Sequence, residues 1–227
     1  MPDTTHPNPG NLGNLPPETH SFVGRRTELA RLRAALDPGV GPAARLVSVV
    51  GVGGVGKTRL ALRAAAEVRD AYPDGVWLAE LSPLHTAGLV DLAVMETLRL
   101  ADQSTRPVTD VIIEWAHGRR LLIVLDSCEH LLADCAKVAA ALLSRVPGLR
   151  ILVTSRERLA LPGEEVLHLE PLPVDGHAGD GSDAGDLGAA GDAVALFAER
   201  AAAAGRPLSD DDMAGRALAA AVCRRLD

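Results

Sequence analysis

The sequence predicts an α/β fold in which a parallel sheet is covered by helices on both faces. Three observations carry that prediction. Five short apolar runs alternate with longer amphipathic stretches between residues 45 and 169. The runs are almost continuously apolar, as in strands buried on both faces, rather than alternating with polar residues. The first run ends in a glycine-rich loop that leads directly into a helical stretch.

Residues 1–20 are polar, rich in Pro and Asn, and without periodicity, so they predict a disordered leader. A helix is expected over Glu28–Leu36, because Leu29, Leu32 and Leu36 share one helical face and Arg31 and Arg33 fall off it. Arg45–Val50 reads as the first strand, and Lys57 to about Arg69 as the helix after the glycine loop. Val76–Leu81 is the second strand. Leu89–Leu100, with Leu92, Met95 and Leu98 three apart, and Val108–His117 are the next helices. Leu121–Leu125 is a buried strand ending in Asp126, Leu131–Val146 a helix closed by Pro147 and Gly148, Leu149–Thr154 the fourth strand, and Val166–Leu169 a weaker fifth. These elements make residues 21–173 one expected domain.

Residues 174–192 are Gly, Asp and Ala with almost nothing to bury, the composition of a flexible linker. Two helices are expected over residues 193–227. The first is capped by Asp192. The second starts at Ser209, with Asp210, Asp211 and Asp212 in its first turn, where carboxylates suit the helix dipole. Leu218, Val222 and Leu226 form an apolar stripe that two helices bury poorly, so the expectation is a helical subdomain cut short.

Composition narrows the function. The chain has 227 residues, 30 acidic against 23 basic, for a net charge of −7. Such a chain has no overall attraction for nucleic acid or an anionic membrane, and neither is expected as a direct partner. Only 2% of residues are aromatic, so the core must be built from Leu, Val, Ile and Ala. Cys128, Cys135 and Cys223 are scattered without metal-ligand spacing, which predicts reduced, partly buried thiols in a cytoplasmic protein. No signal-peptide core and no apolar run of membrane-spanning length is present.

Gly51, Val52, Gly53, Gly54, Val55, Gly56, Lys57 and Thr58 spell G-x-x-x-x-G-K-T between a strand and a helix. In such a loop backbone N–H groups converge on phosphate oxygens, and the helix that follows adds its dipole. Lys57 would meet the β- and γ-phosphates, and Thr58 a magnesium ion. Chance produces the pattern on the order of once per thousand chains of this composition. The expected ligand is therefore a nucleoside triphosphate, ATP with Mg²⁺. Asp126, at the end of a buried parallel strand, would face the same crevice and serve the metal. Arg156, just beyond the next strand, is placed to report a γ-phosphate.

Taken in order, FVGRRTEL (22–29), GVGGVGKT (51–58), LLIVLDSCEHL (121–131) and LRILVTSRERLALPGE (149–164) resemble the NB-ARC domain of signal-transduction (STAND-type) ATPases. More narrowly they resemble the bacterial branch attached to LuxR-type and antibiotic-regulatory (SARP-type) transcription factors. The resemblance spans about residues 14–227. It implies a P-loop NTPase with a five-stranded parallel sheet in the order 5-1-4-3-2. It also implies base and ribose contacts from Val23, Gly24 and Arg25, magnesium at Thr58 and Asp126, and a sensor role for Arg156. The implied activity is a switch in which ADP holds a closed state and exchange for ATP opens it, acting on other domains of a longer regulator or by self-association.

Three features depart from the pattern. Ser127 stands where many relatives carry a second acid, with Glu129 the nearest candidate for that role. A GLPLA segment follows CRRLD in relatives but not here. Residues 174–192 are longer and more glycine-rich than usual. The first two favour nucleotide holding over hydrolysis, at most a slow ATPase. The alternative of a P-loop small-molecule kinase would need an acceptor site and an arginine-rich lid, where this chain has an Ala-rich apolar segment. A GTPase would need an N-K-x-D motif, which is absent.

Overall fold

The computed structural model describes residues 12–19, 21–39, 44–102, 105–174, 191–206 and 213–226. The elements, in chain order, are α1 (Arg26–Leu36), β1 (Leu46–Val50), α2 (Lys57–Glu67), β2 (Val76–Glu80), α3 (Val90–Thr97), α4 (Val108–Ala116), β3 (Leu121–Asp126), α5 (Leu132–Arg145), β4 (Leu149–Ser155), β5 (Glu164–His168), α6 (Asp192–Ala203) and α7 (Met213–Leu226). The chain divides into two compact units. One comprises the residues up to Glu18 with Arg26–Leu169, the other Thr19–Arg25 with Glu170–Asp227.

The first unit is a five-stranded sheet in the order β2-β3-β4-β1-β5, the expected 5-1-4-3-2 read from the other edge. Every neighbouring pair is parallel. The pleat sorts the strand residues into two apolar faces. Leu46, Trp77, Ala79, Leu121, Ile123, Leu125, Leu149, Ile151 and Val153 form one core with buried residues of α3, α4 and α5. The alternate residues, including Val47, Val49, Leu122, Val124 and Leu152, are equally buried. α2 packs against β1, β3 and β4, and α1 packs on α2. In α2 the buried residues are Lys57, Leu60, Ala61, Ala64 and Ala65, and alanines there let helix and sheet approach closely.

α3 lies within the expected helix Leu89–Leu100, but only Leu98 of its three evenly spaced apolar residues is buried. The buried residues are Val90, Val94 and Leu98, at i, i+4 and i+8, while Leu92 stands open to solvent and Met95 is half-buried. Two β-branched residues four apart carry this helix's apolar face.

The leader expected through residue 20 also needs correction within its described part; residues 1–11 and 20 lie outside the described residues. Gly13 bridges Val76 of the edge strand β2 in parallel. Val76 N donates to Leu12 O, and Asn14 N donates to Val76 O, both at 3.3 Å. The Asn14 side chain completes the pairing as a strand would. Its Nδ2 donates to Leu78 O at 2.9 Å, and its Oδ1 accepts from Leu78 N at 2.6 Å. Gly13 (φ +131°) is required here, because a Cβ on it would lie 2.0 Å from Val76 O. The segment thereby covers the exposed sheet edge, a strand-pairing hazard.

In the second unit α6 packs on α7, with Val194 and Ala219 buried. The cap of α6 is Gly191 rather than Asp192, and the helix starts at Asp192, one position earlier than expected. Leu218 is 67% exposed and Val222 is half-buried, so the described part of the C-terminal stripe is largely uncovered. The side chain of Leu226, the acid run at 210–212 with Ser209, and the linker residues 175–190 lie outside the described residues. Residues 21–25 and 170–173, expected in the first domain, and Thr19, expected in the leader, belong to the second unit. Within that unit Arg25 Nη2 donates to Glu170 O, and a Cβ on Gly24 would meet Asp192 Oδ2 at 2.3 Å.

Asn14→Ala removes two hydrogen bonds to one residue of β2. Each is worth about 1 kcal/mol net, so the first unit is expected to lose about 1–2 kcal/mol. Hydrogen exchange should show faster exchange at the Leu78 amide and little change in β4.

Candidate nucleotide site

The strand order builds the site. β4 lies between β1 and β3, so the loops leaving β1, β4 and β3 emerge side by side at the carboxyl edge of the sheet. Val50 is in register with Ser155, and Leu125 with Val153. One residue further on, Asp126 meets Thr154, and the glycine loop begins beside Arg156. Gly51 N donates to Ser155 O at 3.3 Å, closing the base of the loop.

Asp126 is 8% exposed and is held from two sides. Its Oδ1 accepts from Thr58 Oγ1 at 2.6 Å, on the first turn of α2, and from Thr154 Oγ1 at 2.5 Å, at the end of β4. Its Oδ2 accepts from Ser127 Oγ at 3.2 Å. Thr154, itself 1% exposed, in turn accepts from Ser127 N at 2.9 Å. Three chain segments are thus tied through one carboxylate. Sequence reasoning found Thr58 and Asp126 and missed Thr154. The available signal was a hydroxyl ending an otherwise apolar buried strand, ILVT, in the register of Asp126.

Lys57 is 8% exposed and satisfied by its own loop, donating from Nζ to Gly51 O at 2.9 Å and to Val52 O at 2.8 Å. The glycines are needed for separate reasons. A Cβ on Gly51 would lie 2.4 Å from Leu169 O, where the end of β5 crosses the loop. Gly54 and Gly56 have open space around them but φ of +80° and +99°, a left-handed backbone that side chains disfavour. A Cβ on Gly53 would lie 3.3 Å from Arg156 Nη2. The arginine predicted as a sensor therefore does lie against the phosphate loop.

The turn after Asp126 is unusual. Ser127 is left-handed, with φ +64° and ψ +52°, and starts a short 3-10 turn over Cys128–His130. Glu129 Oε2 is buried and has no hydrogen-bond partner among the described residues. A buried orphan acceptor calls for a ligand or water to satisfy it. His130 Nε2 bridges Leu81 O at 3.1 Å and Leu84 O at 2.7 Å. Two carbonyl partners make that nitrogen the protonated one. The ring ties this turn to the loop after β2, a packing role. Cys128 and Cys135 are buried and unbridged, and Cys223 is partly exposed. The hydrogen bond Cys128 shares with Cys135, and then its burial, push the Cys128 thiol far above its ordinary range.

Lys57, Thr58, Asp126 and Arg156 all lie at this edge of the first unit. Val23, Gly24 and Arg25 belong to the second unit. The donor set suits a magnesium nucleotide. Thr58 and Asp126 offer paired oxygens of the kind a hard cation takes, and the loop and Lys57 offer N–H donors for phosphate.

The fold and the site define a P-loop ATPase. The chain belongs to the AAA ATPase domain family, whose model matches residues 21–154. It is 33% identical over 210 residues to an uncharacterized protein of Mycobacterium tuberculosis, covering 91% of this chain and 47% of that one. A candidate HTH-type transcriptional regulator of the same organism is 36% identical over 187 residues, covering 81% of this chain and 19% of the relative. Regulatory protein AfsR of Streptomyces griseus is 32% identical over 174 residues, covering 70% and 17%. The chain thus spans about half the length of the first of these relatives and under a fifth of the two regulators. Among solved structures it is similar to a STAND protein with a tetratricopeptide repeat sensor from Pyrococcus horikoshii. That match has TM-score 0.46 and 18% identity, covering 69% of this chain and 24% of the other. Among the described residues no helix is long and apolar enough to cross a membrane.

Thr154→Val leaves Ser127 N without its acceptor and Asp126 short of one donor. An expected loss of about 1–3 kcal/mol, read from the urea midpoint, should be largely restored in Thr154→Ser. In the native protein at pH 8, a thiol reagent should modify Cys223 and spare Cys128 and Cys135, because burial and the raised Cys128 pKa keep thiolate scarce. Peptide mapping after labelling checks this.

Proposed function

We propose that this chain is an ATP/ADP-binding regulatory switch within a bacterial transcriptional regulator, working in the cytoplasm and hydrolysing ATP slowly or not at all. The observation that carries the reading is the convergence of Thr58, Thr154 and Ser127 on Asp126, with Arg156 against Gly53. Parts suited to a magnesium ion and to a terminal phosphate are joined by hydrogen bonds to the ends of β3 and β4, so a change in phosphate occupancy has a direct mechanical path into the sheet. The residue after Asp126 is a serine turned back onto that aspartate. A hydroxyl there is no base for an attacking water at neutral pH, which favours holding over turnover. Glu129, with its orphan oxygen, is the residue we assign to whatever slow hydrolysis occurs.

In this reading Gly51–Thr58 hold the phosphates, and Thr58 and Asp126 hold Mg²⁺, which when bound neutralises phosphate charge. Arg156 senses the γ-phosphate. Val23, Gly24 and Arg25 contact the base and ribose, consistent with the resemblance to NB-ARC and LuxR- or SARP-linked STAND ATPases. Similarity to regulators far longer than this chain supports partners among other domains of a longer protein, or other copies of itself.

Calorimetry with ATP and ADP in the presence of magnesium tests the proposal. Both nucleotides should bind, and Lys57→Ala should weaken both by at least about tenfold, the loss of a charge-assisted phosphate contact. No binding, or binding unchanged in Lys57→Ala, would sink it. Turnover well above about 1 per second would point instead to an ordinary enzyme.

A further inference from the structure

The segment after the fourth strand, RERLALPGE (156–164), holds a device that the nucleotide reading leaves unused. Glu164 opens β5, and its side chain reaches back rather than out. Its Oε1 accepts from Ser48 Oγ at 2.6 Å and from Leu159 N at 2.8 Å, and its Oε2 accepts from Leu161 N at 3.2 Å. Its own N–H donates to Leu161 O at 3.2 Å. Ser48 lies in the middle of β1, fully buried, two residues before the strand ends at Val50 and three before Gly51. One carboxylate therefore pins the connection that starts at Arg156 to the strand that carries the phosphate loop.

The backbone shows what this pin holds. Ala160 is left-handed, φ +59°, a conformation alanine avoids. The two N–H groups that Glu164 captures belong to Leu159 and Leu161, the residues on either side of Ala160. Gly163, φ +76°, closes the turn before β5. Leu159, buried against the sheet, anchors the same segment from the other side. With both flanks of the strained residue fixed, the stretch between Ser155 and Leu159 has little freedom, and Arg156 is its first residue. Ser155 O is already bonded to Gly51 N, so the arginine is bracketed on both sides.

We infer that Glu164 is a positioning residue for Arg156. By fixing the 156–163 connection to β1, it holds the guanidinium against the phosphate loop and so sets how strongly the protein prefers a triphosphate over a diphosphate. The inference rests on the reading of Arg156 as the γ-phosphate sensor. The carboxylate contacts no ligand itself; it removes alternative conformations of the arginine's connection, and the gain is realised only when a γ-phosphate is present.

A double-mutant cycle on the full chain tests it. Affinities for ADP and for a non-hydrolysable ATP analogue are measured by calorimetry with magnesium for wild type, Arg156→Ala, Glu164→Gln and the double variant. The expected result is a fall of about tenfold in the analogue-to-ADP preference for Arg156→Ala, the size of one charge-assisted hydrogen bond. A comparable fall is expected for Glu164→Gln, with ADP affinity within about twofold of wild type and no further fall in the double variant. Ser48→Ala, which removes one of the three bonds, should move the preference in the same direction by a smaller factor, and it serves in place of Glu164→Gln if that variant does not fold. A merely structural role would lower thermal stability while leaving the preference unchanged, and that outcome overturns the inference. So does a fall that adds to that of Arg156→Ala. An unchanged preference in Arg156→Ala itself would overturn the sensor reading instead.

Discussion

A carboxylate buried at the end of a parallel strand must be supplied with donors, and the organisation of this protein follows from how Asp126 obtains them. Leaving it unpaired at 8% exposure would cost several kcal/mol. The donors are hydroxyls from α2 and β4, elements that reach Asp126 only because β4 separates β1 from β3 in the sheet. Strand order and site are therefore one constraint. A sheet with β1 beside β3 would take Thr154 out of reach and move Arg156 away from the glycine loop.

The same economy appears in the phosphate loop. Lys57 has no carboxylate partner among the described residues and instead binds two carbonyl oxygens of the loop that carries it. A loop satisfied in this way keeps its shape without a ligand. It also exchanges one set of hydrogen bonds for another when phosphate arrives, so the gain on binding is a difference between two well-satisfied states. Under the proposed function, that suits exchange of one nucleotide for another better than irreversible capture.

Much of this was legible in the sequence, and the exceptions have physical reasons. Strands β1 to β4 were readable because a parallel sheet covered on both faces demands near-continuous apolar runs, and Leu121–Leu125 or Leu149–Thr154 fit few other roles. The edge strand β5, EEVLH with only Leu167 buried, carried a weaker signal. The glycine loop and Asp126 were readable because phosphate chemistry restricts residue types at fixed spacing. Thr154 was not, since a threonine ending a strand looks the same whether its hydroxyl faces solvent or a buried carboxylate. Asn14 fell within the stretch read as a leader because its use here, an amide imitating a strand's backbone, depends on which edge lies beside it. The segment of α3 was readable as a helix, but the burial of Val90 and Val94 was not, for a similar reason. A short helix carries several possible stripes, and only packing selects one. The grouping of residues 19–25 with the C-terminal helices depends on contacts some 150 residues apart in sequence, which no local pattern encodes.

Backbone strain marks the same regions without reference to side-chain chemistry. Four non-glycine residues among those described have positive φ: Arg25, Arg99, Ser127 and Ala160. Arg99 follows directly on the end of α3, where left-handed residues commonly terminate helices. The other three each sit within a few residues of a group assigned to the nucleotide: Arg25 itself, Ser127 beside Asp126, and Ala160 four residues after Arg156. Each such residue costs about 1–2 kcal/mol and persists only where its surroundings over-determine it. For Ser127 the restraint is the Thr154 hydroxyl, and for Ala160 it is the pair of flanking N–H bonds to Glu164. The first restraint comes from β4, and the second comes from the residue that opens β5, itself tied to β1 through Ser48. Under the proposed function, strain held beside the groups assigned to the nucleotide can be altered by the ligand, which suits a switch that reports a phosphate rather than consuming it.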